Sequence, residues 1–135
     1  MNRIIQFRGK RKFDNEWIYG HYIKDAIELD RIYLNFIDET TYNTYFIVLP
    51  ESAQQFTGLT DKNKTAIYEG DILKLYTGDH VVVEFKNGGF GFRSTIDKNH
   101  FTGFAGHTYF DYLMETFEVV GNIFDNPELI LNKKQ

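Results

Sequence analysis

"DHVVVEFKNGGFGF", residues 79–92, decides how the rest of the chain is read. In its first half Val81, Val83 and Phe85 fall on one side of an extended chain while Val82, Glu84 and Lys86 fall on the other, the period-two separation of a strand. Asn87 and Gly88 then tolerate the positive φ that a tight hairpin turn demands, and the chain returns through Phe90 and Phe92. The stretch predicts an antiparallel hairpin, the unit from which an antiparallel sheet grows.

Outward from this hairpin, further short runs carry strand patterns. "NRIIQFRG" and "EWIYGHYI" flank "KRKFDN", where Asp14 and Asn15 bond their own backbone and turn the chain, so these runs predict a second hairpin. "RIYLNFI" alternates Ile32, Leu34 and Phe36 against Arg31, Tyr33 and Asn35, a half-buried strand. "TYFIVLP" is continuously apolar until Pro50, which cannot donate to a central ladder. Asp97 to Thr108 has glycines and histidines without a period and predicts a loop. "YFDYLMETF" puts Tyr109, Tyr112, Leu113 and Phe117 at helical spacing, a short helical turn. "FEVVGNIF" is a strand by its β-branched content. "DNPELIL" predicts one closing helical turn, with Asn126 as N-cap and Pro127 at the first helical position. A seam between Pro50 and Thr57 separates an N-terminal β unit, residues 1–57, from a second unit, residues 58–135.

Composition agrees with this reading. An aromatic share of 17%, with 13 Phe, 9 Tyr and only 2 Pro in 135 residues, suits pleated surfaces that flat side chains cover. The absence of cysteine removes disulfides, thiolate nucleophiles and thiolate metal sites together, in keeping with a reducing cytoplasm. No run approaches the roughly 20 apolar residues of a membrane helix, and "MNRIIQFRGKRKF" has no signal-peptide core, so a soluble cytoplasmic protein without membrane contact is expected. A net charge of −4 argues against a surface that holds nucleic acid chiefly through its phosphates.

"GLTDKNKTAIYEGDILKLY", residues 58–76, superficially resembles a cation or phosphate loop. Counted as an EF-hand from Asp61, however, it places Ala66 where the obligatory Gly belongs and Ile72 where the bidentate Glu belongs. No Gly is followed by Lys and Ser or Thr in phosphate-loop order, and Gly89-Phe90-Gly91 lacks the third Gly of a dinucleotide fingerprint. The reading that remains is a polar turn leading into a strand. His21, His80, His100 and His107 include no i, i+4 pair for a metal. Ser52 and Ser94 lack the nucleophile elbow. Asp25, Glu28 and Asp30 fit a solvated connection. Glu69 and Asp71 flank Gly70 at a strand entrance, where bonding to backbone amides outweighs acid–base work. No catalytic residue, metal site or cofactor is predicted.

One run has the composition of a binding surface. Arg8, Lys10, Arg11 and Lys12 lie between Phe7 and Phe13, with Tyr19 and Tyr22 nearby, and interleaved cations and aromatics are what single-stranded nucleic acid uses. The competing structural reading is an exposed turn with its aromatics folded inward.

Three blocks in order, "FRGK…EWIYG" at 7–20, "VLPESAQQFTGLTDKNKTAIYEGDILK" at 48–74 and "EVVGNIFDNPELI" at 118–130, resemble the YopX-like family of phage and prophage proteins. The resemblance spans nearly the whole chain. It implies strands throughout, an SH3-like barrel in the C-terminal portion and a phage or prophage origin, and it implies no activity. The family signature falls on Gly58, Asp61, Tyr68, Glu69, Gly70 and Asp71, then on Gly121, Asn122, Asn126 and Pro127. Two departures stand out: the family usually has Gly where Lys64 sits, and Val-Gly where this chain has Ala53-Gln54.

The sequence therefore predicts an all-β protein, an N-terminal hairpin and sheet unit followed by a small SH3-like barrel and a short helical turn. It is read as non-enzymatic, acting on a protein partner or on a second copy of itself. A nucleic-acid-binding module built on the basic hairpin is the second reading. A hydrolase using Glu69, Asp71 and a histidine is the third.

Overall fold

The computed structural model of the protein describes residues 5–24, 30–33, 45–95, 100–104 and 115–131. Their regular structure is eleven strands and two single turns of 3-10 helix, all strand pairs recorded being antiparallel. The chain divides into two compact units, Met1–Phe56 and Thr57–Gln135.

In the first unit β1 (Phe7–Lys10), β2 (Trp17–Lys24), β3 (Asp30–Tyr33), β4 (Tyr45–Ile47) and the start of β5 (Gln54–Thr60) lie in the order β4-β3-β2-β1-β5. The predicted β1–β2 hairpin forms, pairing Phe7 with Gly20 and Lys10 with Trp17. Its turn closes through Arg11 N to Glu16 O at 2.7 Å and Asn15 N to Arg11 O at 2.7 Å. Asn15 takes the left-handed conformation, φ 63°, and Asp14 Oδ1 accepts from Glu16 N at 3.2 Å, which is how these two residues turn the chain. Register sorts the side chains onto two faces. One carries Gly9, Tyr22, Asp30, Ile32 and, through its bridge to Arg11, Val48; Ile32 and Val48 are fully buried. Gly9 fits closely there, since a Cβ would stand 3.0 Å from the Val48 side chain and press it aside. The other carries Arg8, Lys10, Trp17, Tyr19, Ile23 and Arg31.

Pro50 ends the β4 run by opening the 3-10 turn Pro50–Ser52. Buried Ser52 fastens that turn to the sheet, its Oγ accepting from Lys10 N at 2.7 Å and donating to Leu49 O at 2.6 Å.

The second unit contains the rest of β5 with β6 (Ala66–Tyr68) beside it, and a five-stranded sheet in the order β10-β9-β8-β7-β11. The strands of that sheet are β7 (Asp71–Lys74), β8 (His80–Lys86), β9 (Gly89–Ser94), β10 (Phe101–Gly103) and β11 (Glu118–Asn122). The opening hairpin is β8–β9, with Asn87 at φ 57° and Gly88 at φ 85°. Val81 and Val83 enter a core with Ile67, Leu73, Phe104 and Phe117. Phe85 shares their side but lies at the hairpin end, half out of the core and edge-on to Phe90 with centroids 5.0 Å apart. Val82, on the opposite side, is buried as well, across from fully buried Ile72. The valine run is thus covered on both sides.

Other sequence expectations are corrected or lie in part outside the described residues. Of the stretch read as a loop, the described residues 100–104 contain β10, paired with β9, and the two backbones come so close that a Cβ on Gly91 of β9 would meet Thr102 O at 2.3 Å; its remaining positions lie outside the described residues. The strand expected after the polar turn forms as β6, Ala66–Tyr68, while β5, interrupted by Gly58, was not read. The helical turn read over 109–117 lies outside the described residues except for Glu115 to Phe117, which form a turn and a core residue, and positions 34–37 of the "RIYLNFI" run lie outside them too. The closing turn is 3-10, Pro127–Leu129, and Asn126 precedes it without a side-chain cap bond, its Oδ1 being engaged by Asn122 N at 3.2 Å. Among the described residues the second sheet is open, with β10 and β11 at its edges, and no closed barrel forms. No helix in them is long and apolar enough to cross a membrane.

Tyr22 links β2 to β3 by donating its hydroxyl to the Asp30 carboxylate. Burial, then the bond to Asp30 and its charge, push the phenol from its ordinary value near 10 up to about 12. A folded pKa above the unfolded one contributes stability that is complete below pH 10 and is lost as pH rises toward 12. Melting temperatures between pH 8 and 12 are therefore expected to fall more steeply for the natural protein than for Tyr22→Phe, whose curve lacks that component.

Candidate functional site

The polar turn between β5 and β6 is organised by one side chain. Asp61, only 5% exposed, accepts from Asn63 N at 2.8 Å and Thr65 N at 2.9 Å with Oδ1, and from Val119 N on β11 at 2.9 Å with Oδ2. The turn is closed further by Asp61 N to Thr65 O at 2.9 Å and Lys64 N to Asp61 O at 3.0 Å. Lys62 N donates to Phe117 O at 3.0 Å, and the Lys62 ammonium lies 3.7 Å from Glu118. Sequence reading saw the turn but not the carboxylate's reach of 58 residues to β11, because no local pattern announces a partner so distant.

The remaining signature residues are spent in the same way. Asp71, fully buried, accepts from Tyr68 N at 2.7 Å and closes the Tyr68-Glu69-Gly70-Asp71 turn. Gly70, at φ +88°, donates its N–H to Val83 O at 2.8 Å while its carbonyl accepts from Ile123 N at 2.9 Å. Glu69 is half-buried in that turn, and Gly58, at φ +89°, is an exposed bend in β5. Asn122 Oδ1 accepts from Phe124 N and Asp125 N, each at 2.9 Å, while Asn126 Oδ1 returns to Asn122 N. A Cβ on Gly121 would meet that Asn126 oxygen at 2.5 Å, so glycine makes the turn before Pro127 possible.

His80 contacts Leu129 O through Nδ1 at 3.0 Å, His100 contacts Thr102 at 3.2 Å, His21 is exposed on β2, and His107 lies outside the described residues. Among the described residues no three acidic or imidazole groups gather to hold a metal. An open groove of about 410 Å³ runs between Lys62, Lys74, Tyr76, Glu115 and Glu118. Its cations and carboxylates alternate, which gives it no single charge preference.

The register divides the residues proposed for nucleic acid, with Arg8, Lys10 and Tyr19 on one face and Arg11 and Tyr22 on the other. Arg8 is buried and donates to Gln54 Oε1 at 2.8 Å, with its guanidinium 4.5 Å from the Trp17 ring. The Lys10 ammonium sits 5.0 Å from the same ring. Arg11 turns the other way, forking both nitrogens onto Asp14 at 2.7 Å and stacking 4.5 Å from Phe46. Tyr22 points to Asp30 on the Ile32 face, and Lys12 stands exposed at the hairpin tip. What the register does bring together on the opposite face is Trp17, Tyr19, Ile23 and Arg31, with Tyr45 stacked 4.5 Å below the Arg31 guanidinium. Alternation along "WIYGHYI" already placed Trp17, Tyr19 and Ile23 on one side; the joining of Arg31 and Tyr45 needed the cross-strand register.

A family model described as YopX protein matches residues 6–131. The chain belongs to the YopX family. Among solved structures, protein EF1440 from Enterococcus faecalis is similar to it at 22% identity and a TM-score of 0.64, over 96% of this chain and 99% of that one. That likeness extends the fold, and no activity, to this YopX protein. No curated protein matches the chain.

Lys64 holds a left-handed backbone, φ 68°, which favours glycine over a residue with a Cβ. A left-handed L-residue costs about 1–2 kcal/mol, partly offset by glycine's larger unfolded entropy, so Lys64→Gly is expected to stabilise by up to about 1 kcal/mol in urea melts. Asp61→Ala strands three amides, each worth on the order of 1–3 kcal/mol when unsatisfied, and is expected to be among the most damaging single changes by the same measurement. Retention of full stability in Asp61→Ala contradicts the architectural role.

Proposed function

We infer that this YopX protein is a non-catalytic accessory protein of phage or prophage origin that works in the bacterial cytoplasm by binding another protein. The carrying observation is the face of the first unit's sheet that presents Tyr19, Ile23 and Tyr45, which remain 45%, 44% and 38% exposed around Arg31. Tyr, Trp and Arg dominate the energetics of protein contacts because they bring large area and few rotors, and a cluster of them left in water marks an interaction surface. The non-catalytic reading is supported by Asp61 and Asp71, whose carboxylates are taken up by backbone amides. For the second unit, the return of β11 beside β7, ahead of the β7-β8-β9-β10 meander, favours the SH3-like reading.

A nucleic-acid role is the second reading, favoured by Arg8, Lys10, Trp17 and Tyr19 sharing one face. It is the weaker of the two because Arg11 and Tyr22 face away and Arg8 is buried.

The two are separated by one pair of measurements. The double variant Tyr19→Ser, Tyr45→Ser is expected to melt within a few degrees of the natural protein and to lose, in parallel captures from host cells, a defined protein that the natural chain retains. An unchanged captured set overturns the reading. Quenching of Trp17, the single tryptophan, by oligo-dT at low salt with loss at high salt transfers the function to nucleic acid. Sedimentation that shifts with concentration instead identifies a second copy as the partner.

A further inference from the structure

The β8–β9 hairpin turns on Asn87-Gly88, the one place in the chain where glycine follows asparagine. Both residues are exposed, at φ 57° and φ 85°, between the paired Lys86 and Gly89. The space around them is open, since a Cβ placed on Gly88 or on Gly89 would meet nothing within 4 Å. Asn122 and Asn126 are held differently. Asn122 has Oδ1 on Phe124 N and Asp125 N and its amide nitrogen on Asp125, and the β-branched Ile123 follows it. Asn126 Oδ1 is engaged by Asn122 N, and Pro127 follows it with no N–H to give up.

We propose that Asn87 is a site of spontaneous covalent modification, closing on Gly88 to a cyclic imide that opens to aspartate and isoaspartate and loosens the hairpin. The Gly88 nitrogen loses its proton to hydroxide and attacks Asn87 Cγ; a C–N bond forms there, the bond from Cγ to Nδ2 breaks, and ammonia leaves. Water then opens the imide. Attack at the side-chain carbonyl yields aspartate, and attack at the backbone carbonyl yields isoaspartate, whose main chain runs through the former side chain. The step is intramolecular, which replaces an encounter between two molecules with a local rotation. Glycine places no Cβ beside the attacking nitrogen. Closure requires Asn87 to leave the left-handed conformation, in which the Gly88 nitrogen points away from the side chain. The rate therefore follows opening of the hairpin end, where Phe85 already lies half out of the core. Aspartate keeps the left-handed turn and adds one negative charge beside Lys86. Isoaspartate adds a backbone carbon to a two-residue turn, so the Lys86–Gly89 pairing no longer closes and the strands that bring Val81, Val83 and Phe92 to the core are loosened.

The purified full chain is held at neutral and at mildly alkaline pH beside a synthetic peptide of residues 84–93 and the variant Asn87→Gly, which keeps a tight turn and has no side-chain amide. Released ammonia, the mass and isoaspartate content of the tryptic peptide Asn87–Arg93, and the melting temperature are followed, with digestion in oxygen-labelled water to mark conversion during handling. Expected is conversion at Asn87 in the folded chain, severalfold slower than in the peptide and faster at the higher pH, with isoaspartate exceeding aspartate. The aged natural protein is expected to melt below the fresh one, whereas Asn87→Gly releases less ammonia and keeps its melting temperature. Absence of isoaspartate at Asn87 after tenfold the time that converts the peptide overturns the proposal. So does aspartate formed without isoaspartate, which indicates direct hydrolysis of the amide, or an isoaspartate-containing protein that melts with the fresh one.

Discussion

Both oxygens of Asp61 are occupied by three backbone amides, two in its own turn and one on β11, and the second unit depends on that arrangement. A buried carboxylate is costly to desolvate, and the cost is met only when its lone pairs are filled. Asn63 and Thr65 satisfy one oxygen locally, which freezes the turn; Val119 satisfies the other, which fixes where the last strand lies. With β11 so placed, Val119 packs beside Leu73, its cross-strand partner, and Phe117 closes a core it would otherwise leave open. The acidic and amide-rich composition that suggests an ion-binding loop is therefore the composition of a backbone clasp.

The same economy governs the other signature positions. Asp71 closes the turn that feeds β7, Gly70 offers its N–H to β8 and its carbonyl to the segment after β11, and Asn122, Gly121 and Asn126 make a compact turn that no larger residue at 121 permits. Polar groups that are already hydrogen-bonded to backbone are poor acids, bases or ligands, since any reaction must first break the bond that holds the strand. Asp61, Asp71, Asn122 and Asn126 are each engaged in this way by backbone amides. Lys64, whose left-handed backbone favours glycine, is strained without breaking a bond.

Legibility in the sequence followed the range of the causes. The β8–β9 hairpin was readable because Asn87-Gly88 and the alternating valines act within a few residues, and the β1–β2 hairpin because Asp14 and Asn15 bond locally. β10 was not, since it is only three residues long and its close approach to β9 depends on Gly91, a property of contact and not of pattern. Likewise the cation run at 8–12 looked like one surface until the register divided it: odd and even positions of a strand point apart, and Arg11 took the far side with Phe46. Local charge density in a strand overstates a surface twofold for this reason alone.

The two units differ in how their polar and aromatic residues are used. In the second, acids and amides are consumed by turns and aromatics such as Phe92, Phe104 and Phe117 pack on one another, with centroids 5.8 and 5.9 Å apart. In the first, cations are held against aromatic rings, Arg8 and Lys10 on Trp17, Arg11 on Phe46, Arg31 on Tyr45. Such pairs stiffen long side chains at the surface while keeping ring edges and the Tyr19 and Ile23 side chains in water. A surface stiffened before contact gives up less freedom when it meets a partner. The turn-closing acids and amides and the exposed aromatic face thus sit on different strands, so residues of that face are not held by the bonds of Asp61 and Asp71.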